Sequence, residues 1–196
     1  MGNREDLLAG AKRCLYEKGY GRTTARDIAT ASGVSLAAIG YHFGSKEALL
    51  NAALIGATEE WGGALGVVVA RANELADGPE ERFVAVWDGV KETFAEHRGL
   101  WAAQFEAMAQ AERAPELAAA LTAAQRDGRL GLAALFQGLT EVSDTEDELA
   151  RGIFYQALLV GLAAQWLAAP EMAPTGRDFL RGLQLVGDAV LRPPTP

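Results

Sequence analysis

The stretch that decides the fold runs from Thr23 to Leu50 and reads TTARDIATASGVSLAAIGYHFGSKEALL. Threonine and serine often cap helix N-termini. Thr23 or Thr24 is the expected cap of a first short helix, and Ser35 and Ser45 are the expected caps of two further helices. Glycine at position 33 ends the first short helix. Helices this short are marginal alone, so they must pack on one another. The pattern therefore predicts a helix-turn-helix module.

A first amphipathic helix precedes this stretch. Its apolar residues begin at Leu7 and recur at helical spacing to Leu15, and Gly19 marks its end. Within the module, Gly33 is suited to a left-handed turn, and the small Ala29 is expected where two helices approach closely. The residues expected to face inward and fix the angle between the helices are Ile28, Val34, Ile39 and Phe43.

Length and composition bound the class of protein. The 196 residues suit one domain or two small ones. Alanine occupies 38 positions and isoleucine only four, which favours helix over strand. The single cysteine excludes a disulfide framework and a multi-thiolate metal site, and it favours a reducing compartment. The start of the chain leads directly into a charged helical pattern, so we expect no secretory leader and a cytoplasmic protein.

The net charge of −8 argues, taken whole, against a nucleic-acid binder. The charge is unevenly divided, however. Residues 1–50 hold seven basic and five acidic residues, whereas the remainder holds 11 basic and 21 acidic ones. All four tryptophans and six of the seven phenylalanines also lie after residue 50. This asymmetry hints at a nucleic-acid module joined to a larger apolar body.

The chain after residue 50 has helical periodicity throughout. We therefore predict an all-α protein of about nine helices, with a three-helix helix-turn-helix domain at 1–50 and a larger helical domain at 51–196. The uncharged run 152–170 is long enough to cross a membrane. Its glutamines, glycines and many alanines favour a buried interface helix instead, so no membrane partner is expected.

Residues 7–50 resemble the N-terminal domain of TetR-family transcriptional regulators. The resemblance is carried by TTARDIA at 23–29, GVS at 33–35 and YHFGSKEALL at 41–50. It implies a homodimer that places two recognition helices in successive major grooves of a near-palindromic operator. It also implies a second domain in which a small molecule binds and thereby releases the DNA.

The resemblance and the physics of phosphate contacts together give a set of DNA-binding residues. Tyr41, His42 and Lys46 resemble the family's phosphate contacts, and Thr24 and Ser35 lie at helix N-termini, where backbone N–H groups also receive phosphate. His42 as an ordinary surface histidine and Lys46 as a solvated charge are the alternatives. The full predicted set is Thr24, Arg26, Ser35, Leu36, Ala37, Ala38, Tyr41, His42 and Lys46.

Base readout is expected to be unusual in this chain. The predicted recognition helix offers Leu36, Ala37 and Ala38, and Gly40 stands where many family members carry an aromatic residue. Readout would then depend on methyl contacts to thymine, on Tyr41 and on Arg26, whose counterpart in some relatives contacts guanine. The alternative for Arg26 is an intrahelical or phosphate partner.

Large apolar side chains in the second domain are candidates for an effector pocket, since such pockets are mainly hydrophobic with few polar groups. Each one alone could equally be ordinary core. The candidates are Trp61, Phe83, Trp87, Phe94, Trp101, Phe105, Met108 and Phe136, with Asp88, Gln104, Glu106 and Gln137 as polar anchors. They favour an apolar or aromatic effector over a sugar phosphate.

The last two helices are predicted to form the dimer interface, by pairing into a four-helix bundle. Ala157 and Gly161 form a small-xxx-small step that permits close approach, and an intrachain core stripe is the alternative. The predicted interface residues are Phe154, Ala157, Leu158, Gly161, Trp166, Phe179, Leu183, Val186 and Val190.

Enzymatic hypotheses find little support in the sequence. Its two histidines, at 42 and 97, are far apart, and no metal-ligand spacing, catalytic triad or phosphate-binding glycine loop is evident. We therefore expect no cofactor and no metal. A regulator whose second domain serves only dimerisation or protein interaction is the main alternative, and an all-α enzyme or ligand carrier that keeps the module is a third. The effector and operator are not readable from the sequence.

Overall fold

The computed structural model describes residues 2–191 of the 196, apart from the side chain of Arg113. Throughout this part of the chain the only regular structure is helical, and the all-α prediction is confirmed. Within residues 2–191 there are nine α-helices: α1 (Asn3–Lys18), α2 (Ala25–Ser32), α3 (Leu36–Phe43), α4 (Lys46–Leu75), α5 (Pro79–Glu96), α6 (Arg98–Gln110), α7 (Pro115–Gln137), α8 (Glu146–Ala168) and α9 (Gly176–Leu191), with single 3₁₀ turns at Ala111–Arg113 and Pro170–Met172.

The N-terminal helices form as the local signals predict. Thr24 caps α2, and its hydroxyl accepts the N–H of Asp27 while the Asp27 carboxylate accepts the N–H of Thr24. Gly33 follows α2 in the left-handed conformation, with φ at 69°. Ser45 caps α4 by accepting the Ala48 N–H at 3.0 Å. These contacts fix where each helix starts and stops.

The helices of the module are joined by a small apolar core. Leu7, Leu15 and Ile28 are fully or almost fully buried, and Ile39 retains only 4% exposure. Full burial of a side chain of this size is worth roughly 1.5–3 kcal/mol, enough to hold helices that would not form alone. Helices α1 and α2 approach closely at Gly10, where a Cβ would lie 2.8 Å from that of Ser32. Ala29, expected at the close approach, is half-buried.

The chain divides into two compact units. Unit 1 comprises Met1–Gly63 and His97–Gly128, and unit 2 comprises Ala64–Glu96 and Arg129–Pro196. Unit 1 thus contains more than the helix-turn-helix module, since α6, which packs on α1, and the first part of α7 also belong to it. The predicted domain boundary at residue 50 separates two functions rather than two compact units, and it remains a prediction.

Unit 2 is built on α5, which packs against both α8 and α9. Val90 and Phe94 of α5 are fully buried, and Trp87 is 1% exposed. Phe94 packs on Trp166 of α8, with ring centroids 5.7 Å apart. By length and composition alone, α4 is the one described helix apolar enough to cross a membrane.

Candidate nucleic-acid interface and aromatic clusters

Helix α3 presents an open face. Tyr41 is 86% exposed and Leu36 49%, while Ile39 is buried in the module core. Ser35 stands at the N-cap but accepts no hydrogen bond through its side chain. The N-terminus of α3 is therefore positive by its dipole and has backbone N–H groups available to an anion.

The nine predicted DNA-binding residues lie together on α2, α3 and the start of α4. Tyr41 and His42 are in edge-to-face contact, with ring centroids 4.9 Å apart. Of the nine, three are half-buried and six are exposed. The half-buried ones are Ala38, His42 and Lys46, and the exposed ones are Thr24, Arg26, Ser35, Leu36, Ala37 and Tyr41.

Lys46 has intrachain partners that the sequence did not indicate. Its ammonium group donates to the carbonyl oxygen of Thr23 at 3.2 Å and pairs with the Glu47 carboxylate at 3.1 Å. The side chain is 27% exposed. A phosphate would therefore meet a lysine that is already oriented, in an environment partly neutralised by Glu47.

Asp27 is held in its charged form. Lys18 donates to its carboxylate at 2.6 Å, and the backbone and hydroxyl of Thr24 donate at 2.9 and 2.7 Å. The hydrogen bond from Lys18, followed by those from Thr24, holds the pKa of Asp27 well below its usual range. The same bonds fix the first turn of α2, on which Arg26 stands.

The eight predicted effector-binding side chains divide between the two units. Unit 1 holds Trp61 and Trp101, whose rings meet edge to face at 5.0 Å, and Phe105 at 6.4 Å from Trp101. Met108 also belongs to unit 1 but is 48% exposed. The members in unit 2 are Phe83, Trp87, Phe94 and Phe136.

Trp87 is the centre of the aromatic cluster in unit 2. Its ring stacks on Phe136 at 5.2 Å and lies 5.1 Å from Phe179 and 6.1 Å from Phe83. Tyr155, which the sequence did not single out, stacks on Phe136 at 4.4 Å. The indole Nε1 of Trp87 is buried without a hydrogen-bond partner. A buried donor left unpaired costs roughly 1–3 kcal/mol.

Most of the predicted polar anchors have partners within the chain. Asp88 accepts the Gly176 N–H at 2.8 Å, and Gln137 donates to Glu148 at 2.7 Å. Glu106 binds the backbone of the loop before α2. Gln104 differs, since its buried side-chain oxygen has no partner.

A surface cleft of about 370 Å³ lies between α5 and α9. Its lining includes Glu80, Val84, Arg177 and Leu180, and it includes none of the eight predicted aromatic and methionine residues. Within residues 2–191 no three His, Cys, Asp or Glu side chains are grouped so as to hold a metal ion.

Helices α8 and α9 carry a row of exposed apolar side chains. Phe154 and Leu183 are 45% and 43% exposed, and Val186 and Val190 are 63% and 73% exposed. Ala157 is exposed, Leu158 and Gly161 are intermediate, and a Cβ at Gly161 would meet nothing within 4 Å. Two of the nine predicted interface residues also have ring partners within unit 2: Trp166 lies against Phe94, and the half-buried Phe179 lies against Trp87.

The arrangement in unit 1 defines the class of protein. A short helix capped by Thr24, a left-handed glycine and a second short helix with an open face form the helix-turn-helix of a DNA-binding transcriptional regulator. The family described as "Bacterial regulatory proteins, tetR family" matches residues 7–53, and "BetI-type transcriptional repressor, C-terminal" matches residues 79–184. The chain therefore belongs to the TetR family of transcriptional regulators.

Individual relatives agree with this assignment. The chain is 45% identical to the HTH-type transcriptional repressor AcnR of Corynebacterium efficiens over 49 residues. These residues make up 25% of this chain and 26% of that protein. The chain thus matches only about a quarter of that relative's length.

Solved structures share the fold over nearly the whole chain. A Rhodococcus sp. protein described as a TetR-family transcriptional regulator matches with a TM-score of 0.70 and 23% identity, over 95% of this chain and 98% of the other. The multidrug binding protein EbrR, complexed with proflavin, matches with a TM-score of 0.63 and 21% identity, over 94% and 99%.

Proposed function

We propose that the protein is a dimeric transcriptional repressor that binds a near-palindromic DNA operator and is released from it by a small apolar or aromatic effector. The observation that carries the DNA-binding part is the open face of α3, where Tyr41 is 86% exposed beside a helix N-terminus whose Ser35 side chain is not used for capping. The match to a family described as a BetI-type transcriptional repressor supports repression as the mode of action.

The proposed DNA contacts fall into two kinds. Tyr41, His42 and Lys46, with the helix N-termini at Thr24 and Ser35, bind phosphates and orient the module. Arg26 and the apolar side chains of residues 36–38 face the bases, where thymine methyl groups and guanine are the groups they can recognise. The functional division at residue 50 follows from this, with DNA binding in 1–50 and sensing and dimerisation in 51–196.

Dimerisation is proposed through α8 and α9. The exposed apolar residues on these helices, together with the open step at Ala157 and Gly161, suit a four-helix bundle formed with a second copy. Leu158, Leu183, Val186 and Val190 would pair across a two-fold axis. Trp166 and Phe179 would support that surface from inside the chain.

The effector is proposed to bind at the aromatic cluster around Trp87. Its unpaired Nε1 supports a ligand that combines a planar apolar body with a hydrogen-bond acceptor. EbrR, which shares the fold, is a multidrug binding protein complexed with proflavin. The protein is proposed to act in the bacterial cytoplasm without enzymatic activity, cofactor or membrane attachment.

Selection from a random duplex pool tests the DNA-binding proposal. The protein should enrich a near-palindromic sequence and retard it in a gel at low salt. Binding to random duplex should be weak, because the acidic remainder of each chain repels DNA. It should still fall steeply with salt, because contacts of basic residues with phosphates release counterions. A folded dimer that enriches and retards no sequence would refute the proposal.

A fluorescence screen tests the effector proposal. All four tryptophans lie after residue 50, so quenching by planar aromatic compounds, with proflavin as the first probe, reports on the second domain. A compound that binds should also release the selected duplex. Compounds that bind without any effect on DNA, or a panel with no binder, would favour a second domain that serves dimerisation alone.

A further inference from the structure

The carboxylate of Glu106, on α6, binds the loop that precedes α2. Its Oε2 accepts the Tyr20 N–H at 2.8 Å, and its Oε1 accepts the Gly21 N–H at 2.9 Å. The side chain of Gln110, one turn further along α6, donates to the same Oε1 at 3.2 Å. We call this arrangement, Glu106 with the two loop N–H groups, the Glu106 clasp. Hydrogen bonds from N–H groups to a carboxylate are about twice as strong as neutral ones.

The loop is shaped to admit this carboxylate. Gly19 has a positive φ of 83°, and a Cβ on it would collide with Glu106. A Cβ on Gly21 would lie 2.6 Å from the Gln110 amide and 3.0 Å from Glu106 Oε1. The two glycines around Tyr20 therefore do more than end α1, because they let the end of α6 reach the backbone.

The same loop is tied to α4 and α1. The Tyr20 hydroxyl donates to Asn51 Oδ1 at 2.7 Å, and both side chains are buried. Burial raises the pKa of Tyr20 further above neutral pH, and its hydroxyl is protonated and able to donate there. Thr23 donates to the Gly19 carbonyl at 2.7 Å, and the next residue is the cap of α2. A movement of the loop must therefore be felt at the first turn of α2.

Helix α6 also meets α1 nearer its start. A Cβ on Gly99 would lie 2.8 Å from the Cβ of Tyr16, so the two helices touch almost at backbone distance. The first turn of α6 is thus held on α1, and its last turns are held on the loop. Both contacts belong to unit 1.

We infer that Glu106 is a positioning residue for DNA binding: through its carboxylate, α6 fixes the loop that sets the start of α2 and with it the presentation of α3. The Gly19–Tyr20–Gly21 segment is the receptor for that carboxylate. Loss of the clasp should leave the core of the module intact, because none of the buried side chains Leu7, Leu15, Ile28 and Ile39 takes part in it.

Amide hydrogen exchange of peptides that cover 18–24 tests the clasp without DNA. In Glu106→Ala both N–H groups lose their acceptor, and each should exchange roughly tenfold faster, the factor that corresponds to about 1.4 kcal/mol. Glu106→Gln keeps one acceptor and should show a smaller increase. The matched control is Glu112→Gln, on the exposed turn after α6, which changes the charge equally and should leave the loop unchanged. Equal exchange in wild type and Glu106→Ala would overturn the inference.

The DNA-binding part of the test rests on the proposed function, and it uses the duplex that the wild-type protein selects. Assayed well below every thermal midpoint, Glu106→Ala should bind it roughly fivefold or more weakly than wild type and Glu112→Gln, at unchanged helix content. Weakened binding that appears only together with a loss of helix content at the assay temperature would indicate a merely structural role and would overturn the inference. If wild type selects no duplex, the proposed function fails, and the positioning role fails with it even where the exchange data support the clasp.

Discussion

Replacement of Val186 by glutamate should abolish the proposed dimer. Val186 lies on α9 and is 63% exposed in the single chain. Full burial of a valine is worth about 1.5 kcal/mol, so covering the exposed fraction contributes about 1 kcal/mol per copy. Because a two-fold interface contains Val186 from both copies, this burial free energy is doubled to about 2 kcal/mol per dimer.

Glutamate at 186 also adds a cost that valine lacks. Each copy would bring a carboxylate into an apolar interface, where an unpaired buried charge costs several kcal/mol. Together with the lost apolar area, a change of at least about 4 kcal/mol is expected, which raises the dimer dissociation constant roughly a thousandfold. Val186→Ala, which loses only apolar area, should weaken the dimer far less.

Sedimentation equilibrium at several concentrations measures the dissociation constant directly. The matched control is Val67→Glu, since Val67 is 69% exposed on α4 and lies outside α8 and α9. Circular dichroism should show the same helix content for wild type and all three variants. The reasoning is refuted if Val186→Glu dimerises as tightly as wild type, or if Val67→Glu dissociates equally.

Three further predictions concern the module and the aromatic cluster. Asp27→Asn should lower the urea midpoint of unfolding at pH 7, and the difference from wild type should shrink below about pH 4. A carboxyl whose pKa is lowered on folding stabilises the folded protein above its unfolded pKa, and this contribution is lost as the pH falls. A constant difference between the two midpoints down to pH 3 would contradict this. Lys46→Ala should weaken binding to selected and random duplexes alike and reduce the salt slope of binding by about one, whereas Arg26→Ala should lower specificity with little change in that slope. Gel shifts across a salt series measure both effects. Unchanged DNA binding by Lys46→Ala would exclude a phosphate contact by Lys46. Trp87→Phe should leave the unfolding free energy within about 1 kcal/mol of wild type, because the lost ring area is offset by removal of an unpaired donor. The same substitution should lower the affinity for an acceptor-bearing effector about tenfold in a fluorescence titration. An unaltered affinity would exclude Nε1 as a ligand contact.

The helix-turn-helix could be predicted closely because its signals are local. The Thr24 cap, the left-handed Gly33 and the Ser45 cap are each satisfied by residues within a few positions, so the sequence names both partners. Ser35 shows the limit of this reasoning. It stands at the predicted N-cap, but its side chain accepts no bond from the helix, which leaves that helix end open.

The candidate effector site was predictable only in part. Helical spacing shows that Phe83, Trp87 and Phe94 share a face of α5, but it does not show which helix that face meets. Phe136 and Tyr155 join the Trp87 cluster from α7 and α8, whereas Trp61 and Trp101 form a separate contact in unit 1. Periodicity specifies a face of one helix, and the partner of that face is a property of the packing.

The sequence by itself therefore determined the helices, their caps and the class of DNA-binding module, because those depend on interactions across at most a few residues. The tertiary structure alone decided that Trp166 packs on Phe94 inside unit 2 and that Glu106 binds the backbone of Tyr20 and Gly21. The partners of the Glu106 carboxylate are 85 and 86 residues away and are backbone groups, which every residue except proline carries. A sequence holds no mark of such a partner, and only the packing of α6 on α1 brings the two together.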